Sequence, residues 1–242
     1  MVRYVNSRYG EVEPKNLAVT LKCLQEQLFM VDIFKPLDWV ALEKYFFDAV
    51  SRDNNMVFLT NLSYLEKYLT GAMKTKLFKQ TLNRVKKESK MDFIQSRYFA
   101  LNLTALARLY ISKAYSLEER KQVQEVAKMW ALLIPQKMQI IKGREGVFAN
   151  DLAIMAFQLT KLQLSDITDV YIYLENQLIE NSSKLGFQPL FMLLQSFGQY
   201  GMHSQKLYLT VLEKVYQLSN AFERMNPLEF SILLSCLSQG II

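Results

Sequence analysis

The feature that most constrains this chain is a self-similarity at an interval of 38 residues. Leu152, Ala156, Leu159 and Leu162 align with Leu190, Leu194, Phe197 and Tyr200. Val170, Tyr171, Leu174 and Leu178 align with Tyr208, Leu209, Leu212 and Tyr216. Pro189-Leu190 and Pro227-Leu228 stand the same distance apart. Within each copy the apolar residues recur at three and four positions, which is helical spacing. Two amphipathic helices per copy cannot each bury an apolar face alone, so neighbouring copies must stack. The expectation is an all-α chain, an α-solenoid of stacked antiparallel helix pairs with about 11 helices. The competing reading is an ordinary helical bundle with accidental self-similarity.

An earlier match lies upstream. Residues 105–112, Ala-Leu-Ala-Arg-Leu-Tyr-Ile-Ser, match 158–165, Gln-Leu-Thr-Lys-Leu-Gln-Leu-Ser, at an offset of 53. The longer offset predicts an insertion, placed near the loop-like run Lys142-Gly143-Arg144-Glu145-Gly146. That run also divides an N-terminal part, 1–142, from the C-terminal repeats, 147–242, within one continuous stack. Eight Gly and five Pro in 242 residues are too few turns for an all-β fold.

The spacing predicts helices over 16–30, from Pro36 onward, over 56–69, 74–90 and 91–111, and from Ser116 onward. Ser116-Leu117-Glu118-Glu119 is a capping box. Ser63 with Glu66 reads as a second, and Gly71 as a helix stop. Pro135 is expected to end or kink the helix that starts at Ser116. Asp166 and Asp169 are placed in a first helical turn. After the loop come helices at 147–162, 165–179, 187–200 and 204–218, and a last one opened by Asn226-Pro227-Leu228-Glu229. The final unit reads as uncapped at Ile241-Ile242, an expectation of packing against another element.

Little catalytic equipment is present. Cys23 and Cys236 sit in apolar helical patterns and read as buried thiols of a reducing compartment. With one His, His203, they make no zinc set, and no metal or cofactor is expected. His203 is read as a capping or surface residue. No nucleotide-binding glycine loop and no nucleophile elbow occurs, so the chain is expected not to be an enzyme. No apolar run reaches the length of a membrane span, and residues 1–16 lack the apolar core of a secretory signal.

Charge is segregated. Residues 67–97 hold nine basic and two acidic side chains, and 98–144 hold eight and three. Residues 1–66 hold seven and nine, and 145–242 five and nine. A basic centre between mildly acidic ends predicts a polyanionic partner for the middle. The candidate RNA-binding residues are Lys74, Lys76, Lys79, Arg84, Lys86, Lys87, Lys90, Arg97 and Arg108. Tyr98 and Tyr110 lie on apolar faces and read as core residues, so the basic segment lacks the aromatic interleaving of an RNA module. The alternative for the lysines is a solvated helix face.

The 37–38-residue helix pair, its first helix ending in Leu159-x-x-Leu162-x-Leu164-Ser165 or Phe197-Gly198-x-Tyr200-Gly201, resembles heptatricopeptide and octotricopeptide repeats. Such repeats build organellar RNA-associated proteins, including the helical arm of FAST-kinase-like and RAP-domain proteins. The resemblance covers residues 99–242 better than 1–98, without a Pro-Pro-Pro-Glu-Trp-like signature or an α/β RAP domain. It implies a mitochondrial protein, a subunit of a ribonucleoprotein such as the mitochondrial ribosome. The basic middle would meet rRNA backbone and the C-terminal helices would meet other protein subunits. A protein–protein adaptor without RNA contact is the alternative.

Overall fold

The computed structural model describes residues 8–27, 37–52, 55–144, 148–200 and 204–217, and single positions at 227, 230, 231 and 234. Among these the regular structure is all helical. In chain order the α-helices are α1 (Pro14–Gln27), α2 (Trp39–Arg52), α3 (Met56–Tyr64), α4 (Gly71–Glu88), α5 (Ser96–Ile111) and α6 (Leu117–Leu132). There follow α7 (Ile134–Arg144), α8 (Ala149–Leu162), α9 (Thr168–Glu180), α10 (Phe187–Tyr200) and α11 (Gln205–Gln217).

The helices form two layers. In the first, α1 packs on α3, α3 on α5, α5 on α8, and α8 on α10. In the second, α2 packs on α4 and α4 on α6, while α7 and α11 both pack on α9. Each first-layer helix also meets the second-layer helix that follows it, α3 with α4, α5 with α6, α8 with α9 and α10 with α11. This is the neighbour-on-neighbour order that stacked helix pairs require. One continuous core runs through it, from Leu17 and Leu21 to Val211 and Val215.

The insertion expected in the 142–146 loop region takes the form of an extra helix, α7, of which only 142–144 fall in that run. It interrupts the alternation of layers between α6 and α8, and its presence accounts for the offset of 53 in place of 38. It does not separate domains, because α5 and α8 pack against each other across it. Small side chains allow their close approach: Ala100 and Ala107 on α5 and Ala153 and Ala156 on α8 are all buried. At the rim of this contact Ser96 Oγ donates to the Asp151 carboxylate at 2.5 Å.

Several boundaries differ from expectation, each for a local reason. The Ser116 capping box forms in full, with Glu119 N–H donating to Ser116 Oγ at 3.2 Å and Ser116 N–H to Glu119 Oε2 at 2.8 Å. The Ser63–Glu66 box does not, because Ser63 Oγ donates to the Thr60 carbonyl and α3 has already ended in a 3-10 turn. Gly71 opens a helix instead of stopping one, with Thr70 as its N-cap. As expected, the helix that starts after Ser116 breaks ahead of Pro135: α6 ends at Leu132 and α7 starts at Ile134. Pro135 itself lies in the first turn of α7, where its missing N–H is not needed. The helix expected over 91–111 starts at Ser96, after a loop that Lys137 holds by donating to the Met91 and Asp92 carbonyls. Asp166 precedes α9 with φ 56° and pairs with Lys128 at 3.0 Å. That contact holds its carboxyl below the usual range. Cys23 is exposed instead of buried, since Leu17, Ala18 and Leu21 take the inward face of α1. Cys236, His203 and most of the helix expected from Pro227 lie outside the described residues.

Candidate nucleic-acid interface

The basic segment centres on α4, a second-layer helix of 18 residues. Its N-terminus is fixed by Glu43 of α2, whose carboxylate accepts from Thr70 N–H at 2.7 Å and from the Thr70 hydroxyl. Met73, Leu77, Phe78, Thr81, Leu82, Val85 and Glu88 form its buried face. Helical geometry then puts Lys76, Lys79, Lys86 and Lys87 on the opposite side, with Lys90 just beyond the C-terminus. Cations at this end also complement the helix dipole.

The nine basic residues named from the sequence fall into separate groups. Lys79, Lys86, Lys87 and Lys90 are exposed, and among the described residues they make no ion pair. Lys79, Lys86 and Lys87 share the outward half of α4, Lys86 and Lys87 about 100° apart around its axis, and Lys90 follows beyond its end. Arg97 is exposed in the first turn of α5, close enough to Asp151 for its charge to act on that carboxyl. Burial pushes the Asp151 carboxyl up, and the Ser96 hydrogen bond and Arg97 pull against that rise. Lys74 is half-buried.

The other three are engaged inside the fold. Arg84 Nε donates to the Glu88 carboxylate at 2.5 Å, and Asn102 Nδ2 donates to its other oxygen at 2.7 Å. Glu88 is 2% exposed, so Arg84 is the counter-charge that makes this buried acid tolerable. Arg108 lies 3.5 Å from the centroid of the Tyr64 ring and donates to the Ser63 carbonyl at 3.3 Å, with Lys22 also 4.6 Å from that centroid. Lys76 Nζ sits 3.3 Å from the Phe47 centroid and donates to the Phe47 carbonyl at 2.7 Å. The sequence could not distinguish these roles, because the partners are 29 residues away for Lys76 and 44 and 45 for Arg108.

Arg108 acts on a further cation that composition does not reveal. Lys161 of α8 is half-buried, and burial followed by the Arg108 charge lowers its amine to about 8. Its ammonium lies 3.9 Å from the Phe157 ring centroid. The sequence reading also missed a second face of α2. Leu42, Phe46, Ala49 and Val50 face the core, whereas Val40, Glu43, Lys44 and Phe47 follow one another at i, i+3, i+4 and i+7 beside α4. Apolar residues standing off the core row were the available signal.

No three His, Cys, Asp or Glu side chains among the described residues are grouped as a metal site. No helix among them is long and apolar enough to cross a membrane. Comparison with protein-family models, curated proteins and solved structures gives no significant match.

Proposed function

We propose that this chain is a non-enzymatic helical-repeat subunit of an organellar ribonucleoprotein, of the mitochondrial-ribosome type, and that it binds rRNA backbone through α4. The observation that carries this reading is the group Lys79, Lys86, Lys87 and Lys90, exposed on and just beyond one helix whose large apolar residues turn inward. Flexible, exposed ammonium groups suit a sequence-independent phosphate track, in which affinity comes from counterion release. Lys74 and Arg97 border that track. Arg84, Lys76 and Arg108 support it by fixing the helices beneath. The organellar, mitochondrial part of the reading rests on the tricopeptide-like repeat pattern.

A protein–protein adaptor is the second reading. It is favoured by exposed apolar side chains on the second layer, Leu132 of α6, Ile172 of α9, and Leu209 and Tyr216 of α11, the last 84% exposed. The two readings separate in one experiment, purification of the tagged protein from its own cells with and without RNase. Release of its companions by RNase supports the RNA reading. Companions retained through RNase and high salt support the adaptor.

A further inference from the structure

Lys137 lies on α7, the helix that interrupts the layers. Its ammonium donates to the Met91 carbonyl at 2.6 Å and to the Asp92 carbonyl at 3.3 Å, 46 and 45 residues earlier in the chain. Those two residues stand in the loop that leads from the end of α4 to the start of α5. Met91 N–H in turn donates to the Glu88 carbonyl at 3.0 Å, so the segment that Lys137 grips continues directly from α4. The loop's own packing is partial. Ile94 is buried, whereas Met91, Asp92 and Gln95 are exposed. A cleft of about 220 Å³ lies among Met91, Phe93 and Gln95 of the loop, Arg84 of α4 and Tyr98 of α5.

Burial does not demand the contact of Lys137. With Met91 and Asp92 exposed, water is at hand for their carbonyls. What the lysine adds is position, through two hydrogen bonds from a charged donor, which are stronger than those from a neutral one. The groups so positioned are cationic. Lys90 immediately precedes the gripped residues, and Arg97 follows the loop in the first turn of α5; both are exposed. The loop therefore sets the separation of cations that belong to two helices. A gap fixed beforehand meets the phosphates of a strand without the cost of ordering the loop on binding.

We infer that Lys137 is a positioning residue for the RNA-binding face: it holds the 91–95 loop so that Lys90 and Arg97 stand at a set distance for the phosphates of one strand. This is what the inserted helix α7 adds to the stack. The inference rests on the RNA reading above and adds a residue of α7 that acts on the basic groups without joining them.

The test measures binding of a short single-stranded RNA to the full chain over a range of salt, with amide hydrogen exchange of residues 91–95 followed in parallel. Lys137→Met speeds exchange in the loop and lowers RNA affinity about three- to tenfold, because the loop is then ordered on binding. The slope of log affinity against log salt stays that of the wild type, since Lys137 meets carbonyls and not phosphates. Lys137→Arg, whose guanidinium can donate to both carbonyls, restores affinity. In a Lys90→Ala, Arg97→Ala background Lys137→Met has no further effect, because the groups it positions are gone. Wild-type affinity or wild-type loop exchange in Lys137→Met overturns the role, as does a full effect in that background. A slope shallower by about 0.7 makes Lys137 a phosphate contact itself and overturns it too. If charge reversal of Lys79, Lys86, Lys87 and Lys90 abolishes RNA binding while Lys137→Met binds as the wild type does, the positioning role alone falls. If that reversal leaves RNA binding unchanged, the RNA reading falls and the role of Lys137 falls with it.

Discussion

Helices α8 and α4 are built to different rules. In α8, ten of 14 residues are buried, whereas in α4 the number is seven of 18. The cause is position. α8 lies between α5 and α10 in the first layer and is backed by α9, so contact comes from three sides. α4 lies in the second layer and has a whole face left over. A first-layer helix therefore serves the stack, and a second-layer helix is free to specialise. Lysines along the free face of α4 are one specialisation, and exposed apolar residues on α9 and α11 are another.

The largest expected consequence of this contrast is in stability. Leu159→Ala in α8 removes a fully buried side chain among close neighbours and costs about 2–5 kcal/mol, measured by urea unfolding. Lys79→Ala, on the open side of α4, changes stability by less than about 0.5 kcal/mol. A similar cost for both would show that α4 is covered by something outside its own face.

Next comes the one point where the inner face of α4 breaks its own rule. Arg84→Ala leaves Glu88 buried without its cation, a loss of about 3 kcal/mol or somewhat more. Adding Glu88→Gln recovers much of that loss, because an amide does not need the counter-charge. Failure of the second substitution to rescue the first would mean that Arg84 acts through packing.

A smaller effect distinguishes the first layer by pH. Lys161 titrates near 8 in the fold against an ordinary 10.5, through burial and the nearby Arg108. The unfolded chain holds this proton more tightly, so its charge penalises the folded state fully below pH 8. Stability therefore rises as pH increases from about 8 toward 10. Lys161→Met abolishes that rise, in unfolding curves taken between pH 7.5 and 9.5. A rise that persists in the variant assigns it to another group.

What could be read from the sequence follows the range over which each interaction acts. The helical character and the Ser116 capping box depend on residues a few positions apart, and they are legible. That something fills the offset of 53 against 38 is legible too, but not that a helix, α7, does so, mostly ahead of the expected 142–146 loop. The start of α5 was not legible, because Lys137 holds the preceding loop from 45 residues away. Pro135 was ambiguous for a different reason: the same residue breaks a helix interior and suits a first turn, and only the end of α6 at Leu132 decides. In the candidate site, charge count located the basic segment but could not sort it. Lys79 and Arg84 look alike as letters. One faces solvent and the other faces a buried carboxylate, as their five-residue spacing on a helix requires. The contact of Lys76 with Phe47 was invisible, since the two meet only once α2 packs on α4.

The most direct test of the role given to α4 is the salt dependence of RNA affinity, wild type against the quadruple Lys79→Glu, Lys86→Glu, Lys87→Glu, Lys90→Glu variant. With each lysine neutralising one phosphate of a single strand, the slope of log affinity against log salt becomes shallower by about 3 in the variant, and affinity at low salt collapses. Unfolding curves of the two proteins remain close, since all four side chains are exposed. An unchanged slope with intact folding would contradict the assignment of α4 as the phosphate track.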